Sequence, residues 1–599
     1  MKRFAIGFSQ NSKNLLKRLR KTEFIDEIFI ASSIEIHKNN ACSIEEIKIK
    51  DFLNNNWKNI HLLIFIGSLG ASVRLISPFL ISKEKDPGVI VIDYACSKII
   101  PLIGSHQSNT QHISYQISNL LGGEVINTSY NSNEIDLNLD SFGFQWGWNR
   151  SGEIKDWSKL VILQAKKEKI YYQQFAGNEL WKSLKASQKL IRSDEIINLN
   201  DQEKTFHIGF RSNKNSWHPP VLWIGIGCER NTPKEFIKKS LKKVLERNNL
   251  SSLSIAGLAT IELKQDENAI LEISKDNNWP IKFFSLEELF NVSVPNPSEI
   301  VFKEIGTSSV AEASSILAAG VGSDLILEKT VFKNNGFGAV TIAISKSMKQ
   351  FAPSKGEIHI IGIGPGDLSY LTNDSKKALS KCNVWIGYKL YLDLIQDLKR
   401  DDQVRLDSKI KEERSRCEKA ISIAQEGIKV ALISSGDAGI YGMGGLLLEL
   451  LQNIQEQFRP LFEVHPGISS MQMAAALAGA PLMNDFCAIS LSDKLTLWED
   501  IEKRIKGALA GDFVVAIFNP QSNQRDWQLK RTIDLFLECR TGDTPVLLAR
   551  KVGRENQTKK FYNLNNLPIA EIDMFSLLII GNSKTKLVDD IFITPRGYL

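Results

Sequence analysis

Four times along this chain a short apolar run stops at glycine and gives way to a helical pattern. The runs are HLLIFIG (61–67), VLWIGIG (221–227), EIHIIGIG (357–364) and KVALISSG (429–436). An apolar run of that length reads as a buried strand, and glycine lets the backbone turn sharply before the helix. Strands alternating with helices define an α/β class with largely parallel sheets. A chain of 599 residues is too long for one core and predicts roughly three to four domains. The pattern divides it into an N-terminal α/β unit (1–140), a middle region and linker (141–220), a second α/β unit (221–345), a polar linker (346–356) and a third α/β unit (357–599). The stretch HIGFRSNKNSWHPP (207–220) reads as part of the first linker. Trp146, Trp148 and Trp157 sit in a weakly patterned polar stretch. No fixed-period repeat runs through the chain.

Composition narrows the function classes. Lys and Arg total 74 against 68 Asp and Glu, a net +6. The cations alternate with acids, so no basic stripe for nucleic acid is expected. The cluster Lys13, Lys17, Arg18, Arg20 and Lys21 reads as the solvated face of a first helix. No apolar run reaches the ~18 residues of a membrane span, and MKRFAIGFSQ reads as a first strand, not a signal peptide. Seven cysteines without a C-x-x-C pair predict no disulfide framework, no metal site and a reducing cytoplasm.

Five loops at strand ends could carry chemistry. The first is Gly362-Ile363-Gly364-Pro365-Gly366-Asp367. A dinucleotide fingerprint would need glycine at 367, where Asp367 stands, so the turn is either a plain βα turn capped by Asp367 or a ligand contact. The second runs from Ser435 through Gly436, Asp437, Ala438, Gly439, Ile440, Tyr441 and Gly442 to Gly445. So many glycines expose backbone N–H and C=O groups that can grip a small polar ligand. The third, His465-Pro466-Gly467-Ile468-Ser469-Ser470, opens a helix, with Ser469 or Ser470 placed to cap it. His465 reads first as a strand-end residue. The fourth is Phe518-Asn519-Pro520 and the fifth Ala549-Arg550-Lys551. Open α/β sheets bind ligands at such carboxyl ends. In the second unit, Thr232 is the expected N-cap of a helix with Pro233 in its first turn.

Order, spacing and flanking strands of the five loops resemble the tetrapyrrole methylase family, over roughly residues 356–599. The stretches GIGPGD, SSGDAGIYGM, PGISSMQMAAALAGAPLMNDFCAISLSD, FNPQS and ARKVGRE are most similar to its precorrin-3B C17-methyltransferase branch. That resemblance implies two α/β subdomains with S-adenosyl-L-methionine in the cleft between them. It implies C17 methylation with ring contraction of a corrinoid precursor, with or without cobalt, in cobalamin biosynthesis. By resemblance, Gly436, Asp437, Ala438, Gly439, Ile440, Tyr441, Gly442, Ser469 and Ser470 hold the methionine part of the cofactor. Phe518, Asn519 and Ala549 line its adenosine side. Gly364, Pro365, Gly366 and Asp367 face the macrocycle, with Asp367 a candidate catalytic contact. Asp437 and His465 are further candidates for ring contraction, and Lys389, Arg525 and Arg550 for substrate carboxylates. A homodimer is the expected assembly. Two other readings stay open: methylation of another tetrapyrrole carbon, and a non-catalytic channelling protein.

The first 345 residues resemble the cobalt-precorrin-5A hydrolase family. FIGSLGASVRLISPFL, DPGVIVID, WIGIGCERNTPKEFI, LATIELKQDE, FFSLEEL and TSSVAEASSILAAG carry the likeness. It implies lactone opening on the contracted ring, with His106, Glu229 and Arg74 as candidates. The chain departs from that family at Asp93–Thr110. Ala95 stands where a glycine is usual, and Gln107–Thr110 replace a glycine-rich loop.

Overall fold

The computed structural model describes residues 2–20, 25–31, 44–82, 85–104, 110–121, 123–126, 136–193, 202–334, 336, 338–522 and 527–598. Three α/β blocks are built on the glycine-ended runs. In the first, the strand Ile60–Ile66 lies at the centre of a seven-stranded sheet. The order is Glu45–Ile47, Glu27–Ala31, Lys2–Gly7, Ile60–Ile66, Gly88–Ile92, Lys98–Ile103, Glu124–Val125. All pairs are parallel except Gly88–Ile92 with Lys98–Ile103. Leu62 to Ile66 are fully buried, as both covered faces of a parallel sheet require.

The middle region is a folded sheet in its own right. Its order is Ile191–Arg192, Tyr171–Gln174, Thr205–Ile208, Ser216–His218, Asn149–Ser151. The stretch 207–220, expected as linker, holds the second half of the strand Thr205–Ile208 and all of Ser216–His218. Trp146, Trp148, Trp157, Trp181 and Trp217 are all buried there. Their burial is invisible to periodicity because the strands are only two to four residues long and the rings come from turns as well. The same apolar cluster continues into Ile358, Ile360, Val384, Ile386 and Leu432 of the third block.

Gln350, in the polar segment before the third block, is buried and fully engaged. Its Oε1 accepts from Trp148 Nε1 (2.7 Å) and Asn178 N (3.2 Å). Its Nε2 donates to the carbonyls of Trp146 and Glu426 (2.6 Å each). A buried amide so satisfied locks three segments together.

The second block carries Ile281–Phe284, Ile255–Ile261, Leu222–Cys228, Gly338–Lys346 and Asp324–Asn334 in that order. Its first helix runs Lys234–Arg247 and makes no side-chain cap. Thr232, the expected N-cap, instead donates its hydroxyl to the Glu229 carbonyl (2.8 Å), and Pro233 occupies the cap position. The turn closes on itself before the helix begins.

The third block has two lobes. The first is an all-parallel sheet, Val404–Ser408, Val384–Tyr388, Lys429–Ser434, Glu357–Gly362, Leu461–His465. The second is a mixed sheet, Phe486–Ser490, Val514–Phe518, Ser576–Ile580, Pro545–Arg550, Thr558–Asn563. No helix among the described residues is long and apolar enough to cross a membrane.

Candidate functional site

In the first lobe, Glu357–Gly362 lies between Lys429–Ser434 and Leu461–His465, all running the same way. Their three C-terminal turns therefore emerge side by side. Gly364 and Gly436 exchange two backbone hydrogen bonds, of 3.1 and 2.7 Å. A Cβ on Gly362 would stand 2.7 Å from the Gly436 oxygen and 2.8 Å from Gly467 N, and one on Gly467 only 2.1 Å from that same oxygen. Backbone packs on backbone here, and no side chain fits between.

Asp437 staples these turns. Its Oδ1 accepts from Gly439 N (2.8 Å) and its Oδ2 from Gly467 N (3.0 Å). The carboxylate is thereby committed to holding the loop. Ser469 caps the helix Ser470–Ala478 in a capping box with Gln472, so its hydroxyl already serves that helix. Tyr441 holds a left-handed backbone (φ +52°), a strained state for an aromatic residue. Two contacts on the second lobe support it. Its hydroxyl donates to the Ala488 carbonyl (3.0 Å), and its ring stands 5.1 Å from that of Phe518.

The second lobe brings its own strand ends to the same place. Asn519 is left-handed (φ +49°) and donates to Ser490 Oγ (3.0 Å). Ala549 is fully buried in the apolar cluster beneath, with Met471 and Ala475. Gly553 (φ +72°) packs on Pro365, and its carbonyl accepts from Asp367 N (2.6 Å). Arg554 Nε reaches the Pro365 carbonyl (3.3 Å). The turn Gly364–Asp367 is thus clasped between the lobes. The Asp367 side chain caps the short turn Leu368–Tyr370 through Ser369 N (2.7 Å). Hydrogen bonding from Ser369 holds its pKa below the ordinary carboxylate range, so it stays ionised and serves as a polar contact more readily than as a proton donor.

The structure therefore brings Gly364–Asp367, Gly436–Gly442, Ser469, Ser470, Phe518 and Asn519 to one set of strand ends. It does not bring His465 there as a free base: its ring is buried, with Nδ1 bonded to Asp374 (2.6 Å) and Nε2 to His359 (2.9 Å). Lys389 pairs with Asp393 and Arg550 with Asp573. Arg525 and His106 lie outside the described residues. Gly553 and Arg554 join the site beyond the residues that sequence singles out, and the glycine inside ARKVGRE is the signal that marks them.

A sulfonium nucleoside would need a cradle without side chains, a flat apolar wall and a helix start. Gly439 is exposed, and a Cβ there would meet only Asp437 Oδ1, at 3.3 Å. The rings of Tyr441 and Phe518, inclined at 54° to each other, offer two apolar faces against which a base can lie, and Ser470 opens a helix. The residues fit such a group.

The family model for Tetrapyrrole (Corrin/Porphyrin) Methylases matches residues 357–568. The precorrin-3B C(17)-methyltransferase of Sinorhizobium sp is 34% identical over 249 residues, which are 41% of this chain and 97% of that protein. The chain belongs to the tetrapyrrole methylase family. The cobalt-factor III methyltransferase of Priestia megaterium is 43% identical over 246 residues, 41% of this chain and 45% of that relative, so the match spans about half its length. The crystal structure of the methyltransferase CobJ is 34% identical, covering 40% of this chain and all of that one, with a TM-score of 0.39. Ahead of the methylase region, residues 51–131 match Cobalamin synthesis G N-terminal and residues 222–345 match Cobalamin synthesis G C-terminus.

In the second block, a polar cavity of about 330 Å3 lies among Arg230, Asn231, Lys234, Asp266, Glu267 and Glu272. Buried Glu267 accepts from Asn231 N (3.1 Å). Glu229 faces elsewhere: its Oε1 accepts from Ala339 N (2.9 Å) and its carboxylate fills the space a side chain on Gly338 would need. Arg74 is exposed on the helix Leu69–Ile76. In the turn after Asp93 the left-handed residue is Cys96 (φ +53°), so Cys96, and not Ala95, occupies the conformation glycine would favour.

Proposed function

We propose that residues 357–599 methylate C17 of a corrinoid precursor, precorrin-3B or its cobalt counterpart, and drive its ring contraction. The methyl donor in this reading is S-adenosyl-L-methionine, whose sulfonium supplies an activated methyl group. Transfer from a sulfonium needs in-line placement more than a strong base, and placement alone can lower a barrier by several kcal/mol. One observation carries the reading: three glycine turns packed backbone to backbone beneath the exposed Gly439 and Ile440. Asp437 keeps that cradle in shape. Tyr441 and Phe518 supply the apolar faces for the nucleoside. The turn Gly364–Asp367, held from both lobes, presents its outer face to the macrocycle.

Residues 1–345 act in this proposal as a hydrolase-like partner on the same pathway, opening the lactone that ring contraction creates. The enzyme works in the cytoplasm as a homodimer paired through the methylase region, which sedimentation velocity would test. The functional test is incubation of the full chain with methyl-labelled donor and precorrin-3B or cobalt-factor III. One labelled methyl at C17 of a contracted ring is the expected product. Label at another carbon, or none, overturns the assignment.

A further inference from the structure

Outside the cradle, two buried imidazoles face each other across the edge of the first methylase lobe. In the parallel pairing of Glu357–Gly362 with Leu461–His465, His359 lies opposite Glu463 and Ile361 opposite His465. Alternate residues share a face, so Glu357, His359, Glu463 and His465 project to the same side. His359 Nδ1 and His465 Nε2 stand 2.9 Å apart. Glu463 Oε2 lies 3.8 Å from the first and 3.7 Å from the second. These three atoms are the described residues' one group of three or more metal-capable donors within mutual reach.

We propose that His359, His465 and Glu463 form a site for a zinc-class divalent cation. Zinc bonds of about 2.0–2.2 Å at tetrahedral angles set donor atoms about 3.3–3.5 Å apart. The three observed separations straddle that value, and a few tenths of an ångström at each ring would equalise them. Two imidazoles with one carboxylate suit zinc-like ions and not magnesium or calcium. The outer nitrogens are already tied down. His359 Nε2 bonds Glu357 (3.0 Å) and His465 Nδ1 bonds Asp374 (2.6 Å). A carboxylate behind each imidazole fixes its tautomer and leaves the inner lone pair for an ion, the arrangement that metal-binding histidines use.

Both imidazoles are 3% exposed and Glu463 is 61% exposed, so entry is from the carboxylate side, where water completes the shell. The ion would pin the edge strand to its neighbour immediately before Pro466 and Gly467. Gly467 packs on Gly436 in the cradle, so the site would brace that turn.

The test uses the full chain, freed of metal with a chelator and then titrated with zinc chloride by calorimetry. One equivalent should bind, and millimolar magnesium should not compete. Glu463→Gln, a change on an exposed side chain, should weaken zinc binding at least tenfold, and Asp374→Asn by roughly tenfold. Zinc should raise the melting temperature of the unaltered protein more than that of Glu463→Gln at the same concentration. No uptake by folded protein, or undiminished binding by Glu463→Gln, would overturn the proposal.

Discussion

Tyr441 carries two burdens at once. Its left-handed backbone aims the hydroxyl at the Ala488 carbonyl and the ring at Phe518. Tyr441→Phe keeps the ring and deletes one hydrogen bond between lobes, worth about 1 kcal/mol. Calorimetry should show S-adenosylhomocysteine binding weakened roughly fivefold, with the melting temperature nearly unchanged. Glu426 offers a pH signature. Burial raises its carboxyl from the ordinary 4.5 to about 7. Between those values the folded protein holds a proton that the unfolded chain has released, so stability falls as pH rises through that window. Above pH 7 the penalty is complete, on the order of 3 kcal/mol. Glu426→Gln should therefore melt higher than the unaltered protein at pH 8 and nearly level with it at pH 4.5, by calorimetric scans.

Among the elements, the segment before the methylase block is a fastener. Gln350→Ala would orphan Trp148 Nε1 and two carbonyls in a buried place. A loss of about 2–4 kcal/mol is expected, read as a lower denaturant midpoint for the whole chain. The elements that sequence reveals well are the long apolar strands, because a central strand covered on both faces is buried along an unbroken run. Ile60–Ile66, Leu222–Cys228, Glu357–Gly362 and Lys429–Ser434 were legible for that reason. The tryptophan-rich sheet was not, since its strands are short and its burial comes from rings scattered over turns. The cradle was legible as glycines, but which side chains were already committed was not. Asp437 and Ser469 look like free ligand groups in sequence, and only tertiary contacts reveal them as a staple and a cap. The His359–His465–Glu463 cluster lay hidden because its donors sit about a hundred positions apart on neighbouring strands.

At the scale of the whole molecule, the two lobes of the third block together are proposed to grip a sulfonium nucleoside through main-chain groups, while the tryptophan-rich middle sheet shares an apolar core with the first lobe and is tied to it by Gln350. Gly439 is the position to probe. A side chain there meets little protein, so the fold should survive, yet it projects from the cradle. The direct measurement is calorimetric titration of the full chain and of Gly439→Leu with S-adenosylhomocysteine. One equivalent bound by the unaltered protein, with affinity reduced at least tenfold in a folded Gly439→Leu, is the predicted result. No binding by the unaltered protein, or equal binding by the variant, would contradict it.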